Sequence, residues 1–395
     1  MNTLRDSKIV TLQGFYLFAF LGMGSFLPLL SVYLKEVEKL DGSQIGLIMS
    51  LGPIVMMFFQ PIWGMVSDYT QAPTRVLALT TFLTGIAGLG YTIFDSYHLF
   101  IVIAILVAIF QSAIIPVSDS ISLKYATKVK YKYGNIRLYG SLGFGIAVFV
   151  MGKLSESIGP SVIFYSLLIT LTLASILALI APSERQTVKV EIIKGMRQLF
   201  SYKEYVLFLG VTFTIFAPNL ANNTFFGLFV EESGGTYAAI GIAFMVAVFM
   251  EIPFMRWSGS FIDRYGYLMV IILAGTVSLA RWFLYFFEPS MSIIYLSTIM
   301  QGFSLGLFIP AGLQYIKKVA PDHVEASAVT IYAAVGTGLG NWFCTIIGGY
   351  LYEYFTIYAV YLFFGLLAFL GIILTFVLYQ NERVLNSETP IVKTS

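Results

Sequence analysis

Apolar residues run along this chain in long stretches, broken at short intervals by charged residues or by Pro and Gly. Cutting at those breaks predicts twelve helices, over residues 9–34, 44–66, 76–95, 98–123, 134–153, 161–182, 206–230, 237–257, 267–287, 291–316, 326–351 and 355–380. Each is near the roughly 20 residues that cross a bilayer core. The longest polar interruption, 183–205, separates the sixth stretch from the seventh. The chain therefore divides into an N-terminal six-helix bundle (1–182), a linker (183–205) and a C-terminal six-helix bundle with a short tail (206–395). The predicted fold class is an all-α membrane protein, with twelve transmembrane helices in two pseudo-symmetric six-helix bundles.

A repeat supports that division. Gly64-Met-Val-Ser-Asp68 recurs 195 residues later in Gly259-Ser-Phe-Ile-Asp263-Arg264-Tyr-Gly266, and both elements are expected to be loops after the second helix of their half. Ile45-Gly46 recurs as Ile240-Gly241, and Gly143 and Gly145 recur as Gly338 and Gly340, with the same shift. A parallel repeat of two membrane bundles is a transporter signature. The glycines of the fifth and eleventh helices, with Gly140, Gly152, Gly336 and Gly348, predict close packing against neighbours that must move.

Composition fits lipid as the solvent. Hydrophobic residues make up 58% and charged residues 11%, against roughly 45–50% and about 25% in soluble domains. The first stretch is longer than a signal-peptide core of roughly 7–15 residues and lacks a clear cleavage site, so it is expected to remain as the first helix. With both termini on the inner side, inner loops hold thirteen Lys and Arg and outer loops three. That bias places both termini in the cytoplasm of a multi-pass cell-membrane protein. A net charge of +2, with basic residues scattered through short loops, makes no case for nucleic acid. Cys344 stands alone, which excludes a disulfide framework and a Cys-rich metal site. His98 and His323 fall in predicted loops, and no catalytic motif is present, so neither an enzyme nor a metal or other cofactor is expected.

Charge inside a span costs roughly 2.5–3.5 kcal/mol at a helix centre, so each such group needs a partner, water or a ligand. Five require explanation: Asp119, Arg137, Glu251, Arg256 and Arg281. Asp119 and Arg137 flank a short inner loop at similar depth, consistent with an ion pair facing the cavity or with a loop-level structural pair. Glu251 stands well inside the eighth helix, where a carboxylate is a candidate proton carrier, and Arg281 of the ninth is its nearest candidate partner in sequence. Arg256, near a helix end, reads as snorkelling. Asn219, Asn222 and Asn223, with Gln111, Gln301 and Gln314, favour a polar, neutral substrate or a mixed aromatic one, or serve as interhelical hydrogen-bonding groups. Pro116, Pro218 and Pro310 are expected to interrupt helical bonding.

These residues also carry a resemblance. The two Gly-x-x-x-Asp elements look like the signature loop of the major facilitator superfamily, complete as Gly259, Asp263, Arg264 and Gly266, whereas Gly64 to Asp68 lacks the following basic residue and glycine. Asp119 followed by Tyr133-Gly-Asn-Ile-Arg137-Leu-Tyr-Gly140-Ser resembles the lactose and phenylpropionate permease group. The resemblance implies that Asp119 and Arg137 bind substrate hydroxyls, that Phe144 stacks where lactose permease has tryptophan, and that Asn222 is a seventh-helix binding residue. It further implies that Glu251 and Arg281 belong to the proton-coupling site. Gln301, Ser304 and Ala217 stand where lactose permease has histidine, glutamate and aspartate, which departs from a galactoside site.

The resulting expectation is a secondary active transporter working by alternating access, with proton symport of a small polar organic solute such as a sugar, nucleoside or aromatic acid. The alternative is a proton-driven exporter of amphipathic compounds. The implied partners are a small-molecule substrate, a proton and membrane lipid, and a carrier with two such halves is complete as a monomer.

Overall fold

Lipid offers the backbone no hydrogen-bond partner, so each apolar stretch must satisfy its own amides, and the helix does so within one segment. The computed structural model describes residues 7–183, 198–321 and 324–388. Twelve helices in it are long and apolar enough to cross a membrane: α1 (Ser7–Glu36), α2 (Gly42–Thr70), α3 (Pro73–Ile93), α4 (Tyr97–Lys128), α5 (Gly134–Ile158), α6 (Val162–Ile180), α7 (Lys203–Glu232), α8 (Tyr237–Tyr265), α9 (Tyr267–Phe286), α10 (Met291–Val319), α11 (Ser327–Tyr354) and α12 (Ile357–Arg383). The starts of α2 and α8, and of α6 and α12, keep the 195-residue shift seen in the sequence. Most of the linker expected over 183–205 lies outside the described residues, as does His323. His98, expected in a loop, lies in the first turn of α4.

The proline expectations divide. α4 is broken at Ser112 and Ala113, where Pro116, having no N–H, leaves the Ser112 carbonyl without a helical donor. α7 passes through a wider π turn at Thr212–Phe216 just before Pro218, and α11 has one at Ala334–Gly340. Such turns bend a helix and recur at functional sites. Pro310 is carried inside α10 without a break.

In the first bundle α1 packs on α5 and α6, and α3 on α6; in the second α8 packs on α10, and α9 on α10 and α12. The two bundles meet along the seams α5–α8, α2–α11 and α1–α7. Because successive helices reverse direction, the start of α1 and the end of α12 share one face, here the terminal face, and the opposite face is the distal one. At the distal end the seams close backbone to backbone. A Cβ placed on Gly46 of α2 would lie 2.6 Å from Cα of Gly349 of α11, and one on Gly241 of α8 would lie 2.6 Å from the Val148 carbonyl oxygen of α5. Gly64 and Gly259 follow Gly46 and Gly241 by 18 residues, which is about five turns and so the same helix face. Around those two glycines nothing lies within 4 Å. The bundles therefore touch at the distal end and part at the terminal end.

The Gly-x-x-x-Asp elements are not loops. Gly64 and Asp68 lie in the last turns of α2, and Gly259, Asp263 and Arg264 in those of α8, because helical bonding continues until the chain must turn. Only Gly266 is in the turn, with φ +78° and ψ +163°. Its counterpart in the first half is Gln71, with φ 50° and ψ 25°. The left-handed helical region is open to Gln at about 1 kcal/mol, whereas the region occupied by Gly266 is essentially restricted to glycine. The first half thus dispenses with the signature glycine because its turn differs in ψ.

Thermal unfolding in detergent should show Gly266→Ala destabilising the protein by about 1–3 kcal/mol, with Gln71→Ala costing less than half as much. Gly46→Val combined with Gly241→Val should force the distal seams apart. The expected readout is faster reaction of seam cysteines with a thiol reagent applied to the distal face, and no change in rate would show that the seams accommodate bulk.

Candidate functional site

The break in α4 and the short turn into α5 bring Asp119 and Arg137 together, with Arg137 Nε 3.6 Å from Asp119 Oδ1. Tyr16 of α1 donates its hydroxyl to the same carboxylate oxygen at 2.5 Å. The guanidinium lies over the rings of Phe20 and Tyr16, 4.4 Å and 5.3 Å from their centroids. Gly140, one turn along α5, leaves the room it occupies: a Cβ there would sit 2.8 Å from Arg137 Nη1. Tyr133, just outside the spans, has its hydroxyl pKa pushed up to about 12 by burial and by the charge of Asp119, so it remains a donor at physiological pH. Both charged side chains are about 30% exposed, and a pair so open to solvent is worth at most about 1 kcal/mol. Separating the pair in water therefore costs little. Phe144 lies half-buried on α5, its backbone pressed against Gly24 of α1.

The second bundle is built differently. Arg281 of α9 is fully buried. It donates through Nη2 to Gln301 Oε1 of α10 at 2.8 Å and through Nε to the Tyr285 hydroxyl at 3.2 Å, and that hydroxyl shares a hydrogen with Ser297 Oγ at 2.7 Å. The guanidinium carbon is also 4.5 Å from the ring centroid of Trp282. Among the described residues no carboxylate pairs with Arg281, and its Nη1 has no hydrogen-bond partner. Asn222 is likewise fully buried, accepting from the Tyr361 hydroxyl at 3.2 Å while its Nδ2 is unpartnered. Asn219 donates to Ser278 Oγ at 3.1 Å.

The pairing of Glu251 with Arg281 suggested by sequence order is not formed. α8 and α9 have little contact because α10 lies between them, packed on both. Glycines of α10 press on the backbone of α8: a Cβ on Gly302 would be 2.8 Å from Glu251 N, and one on Gly306 would be 2.9 Å from Glu251 O. Gln301, the neighbour of Gly302, holds Arg281 on the other side. Arg256, whose depth suggested snorkelling, is exposed.

Several residues of these two clusters escape sequence reasoning. Tyr16, Phe20, Tyr285 and Tyr361 are aromatic residues in a chain that is 16% aromatic, so nothing local distinguishes a ring that holds a charge from one that packs. Tyr285 alone carried a signal, since it follows Arg281 by one helical turn.

The comparisons with known proteins agree with this architecture. The uncharacterized transporter YwbF of Bacillus subtilis (strain 168) is 57% identical over 373 residues, covering 94% of each chain. The maltose permease of Geobacillus stearothermophilus is 43% identical over 375 residues, covering 95% of each. The crystal structure of a mutant of the nucleoside transporter NupG superposes with a TM-score of 0.84 at 19% identity, over 94% of this chain and 99% of that one. The model of the MFS_1 like family matches residues 9–363, and the chain belongs to that family. It is a multi-pass secondary transporter of the major facilitator fold for small molecules, not an enzyme.

The buried guanidinium yields one prediction. Gln301→Leu should lower the unfolding temperature, at a cost of about 1–3 kcal/mol for a donor left unpaired. Gln301→Glu, which supplies the missing counter-charge, should raise it relative to Gln301→Leu. Equal melting of the two variants would show that the amide does not hold Arg281.

Proposed function

We propose that this chain is a proton-coupled symporter of small hydroxyl-rich solutes, with a sugar first among the candidate sugars, nucleosides and aromatic acids. The observation that carries the reading is the weak, solvent-reachable Asp119–Arg137 pair beside Tyr16 and Phe20. It offers an acceptor, a fork of donors and apolar ring surface, the groups needed to hold a sugar's hydroxyls and its less polar face. The 43% identity to a protein named maltose permease supports the choice of a sugar.

In this proposal Asp119 and Arg137 bind solute hydroxyls, Phe144 stacks on the solute, and Asn222 contributes its unpartnered amide hydrogens as α7 bends at its π turn. Glu251 carries the proton and Arg281 senses it. Among the described residues Glu251 makes no ion pair, so taking up a proton breaks no bond to a cation. The terminal face is cytoplasmic, as the distribution of Lys and Arg indicates. Gly64, Asp68, Gly259, Asp263, Arg264 and Gly266 then mark the helix ends that close against each other when the carrier faces outward. The carrier acts as a monomer in the cell membrane.

The test is external pH in lightly buffered, de-energised cells that overexpress the protein, during addition of maltose, other sugars, nucleosides or aromatic acids. Sugar should cause alkalinisation, and Glu251→Gln should abolish it and end accumulation while leaving exchange of preloaded sugar intact. Asp119→Asn or Arg137→Gln should weaken sugar binding roughly 10- to 100-fold, as loss of a hydrogen bond to a charged group does. Dye efflux without any solute-linked pH change would replace symport with export of amphipathic compounds.

A further inference from the structure

The distal closure contains a pair of side-chain contacts that cross between the bundles. At the start of α2 the chain's own cap, Asp41, accepts from Gln44 N at 2.8 Å. At the start of α8 the equivalent cap, Thr236, accepts from Ala239 N at 3.3 Å. Each helix has a second N-terminal amide that is satisfied from the opposite bundle. Gly42 N of α2 donates to Glu353 Oε2 of α11 at 2.7 Å, and Ala238 N of α8 donates to Glu156 Oε2 of α5 at 3.2 Å.

We propose that Glu156 and Glu353 are reciprocal latches on the distal gate, each capping a helix N-terminus in the other bundle. The inference rests on the alternating-access reading and adds to it the groups that set the balance between the two open states. A helix N-terminus carries about half a positive charge and orphan N–H groups, so an ionised carboxylate there is favoured by both. The contact differs from an ordinary cap because acceptor and donor belong to bodies that separate. It forms only while Gly46–Gly349 and Gly152–Gly241 are in contact, and it is lost as the distal end opens. The own-chain caps, Asp41 and Thr236, belong to the same bundles as the helices they cap, so release of the latches need not fray α2 and α8.

Other charges at this end reinforce the closure without duplicating it. Lys35 of α1 pairs across the seam with Glu231 and Glu232 of α7, each at 3.0 Å, and Tyr352 of α11 supports Glu232 from within its own bundle, donating at 2.7 Å. Tyr237 of α8 donates to Glu36 of α1. Glu38 is different in kind, since it accepts from Tyr33 of its own bundle at 2.8 Å and crosses no seam.

The experiment uses the full chain in intact cells, with Cys344→Ser removing the native thiol and Phe249→Cys as the reporter. Phe249 of α8 faces Gly145 of α5 across the seam below the latches, 3.5 Å from where a Cβ would stand. A membrane-impermeant maleimide added outside reaches it only through the distal gate. Glu156→Ala or Glu353→Ala should each raise the labelling rate about five-fold, the ratio equivalent to a cap worth about 1 kcal/mol. Glu156→Gln and Glu353→Gln, which keep an acceptor but lose the charge, should raise it less. Glu38→Ala should leave it unchanged. Rates for the alanine variants equal to that of Glu38→Ala would overturn the latch, as would faster labelling by Glu38→Ala itself. Labelling needs neither solute nor proton gradient. Faster labelling without sugar-linked pH change would therefore overturn symport alone, and unchanged labelling with intact symport would overturn the latch alone.

Discussion

Two bundles that must part at one end and then at the other cannot be sealed by interlocking bulky side chains, because each opening would have to pull those side chains out of their holes. The contact of Gly46 with Gly349, and of Gly241 with α5 at Val148 and Gly152, avoids this by bringing backbone against backbone. Two nearly smooth surfaces separate without repacking, and small residues let helices approach closely enough for dispersion to hold them. The rest of the architecture follows from that choice. The seams occupy pseudo-symmetric places, the polar contacts sit at the rim of the closed end, and the same helix faces carry Gly64 and Gly259 in open space at the other end.

The two bundles deal with charge in opposite ways. The first leaves Asp119 and Arg137 about 30% exposed and in a loose pair, an arrangement that keeps both charges hydrated at low cost. The second buries Arg281 completely and surrounds it with neutral partners, Gln301 and Tyr285, with the ring of Trp282 on one face. A buried cation without a carboxylate is an expensive state. Between this cation and α8 stands α10, whose Gly302 and Gly306 let the backbone of α8 approach closely at Glu251.

Much of the fold was legible in the chain. The length of each apolar run named twelve helices, and the recurrence of Ile45-Gly46 and Gly64-x-x-x-Asp68 named two halves, because a bundle copied within one chain keeps its close-approach positions. Asp119 with Arg137 was legible too, since a short turn between antiparallel helices constrains depth. Glu251 with Arg281 was not, because adjacency in sequence does not imply contact when a later helix, α10, inserts between the two. The π turn of α7 was legible only as an interruption ahead of Pro218, and that of α11, at Ala334–Gly340, had no proline to announce it.

The sequence by itself determined the solvent, the number of crossings, the twofold plan and the candidate charges, because these depend on local hydropathy and on spacing along one chain. Tertiary structure alone decided which end is closed, which charges have partners, and which carboxylates reach across to the opposite bundle. Those outcomes depend on the relative position of two rigid bodies. Local sequence specifies each bundle but not how the two are placed against each other.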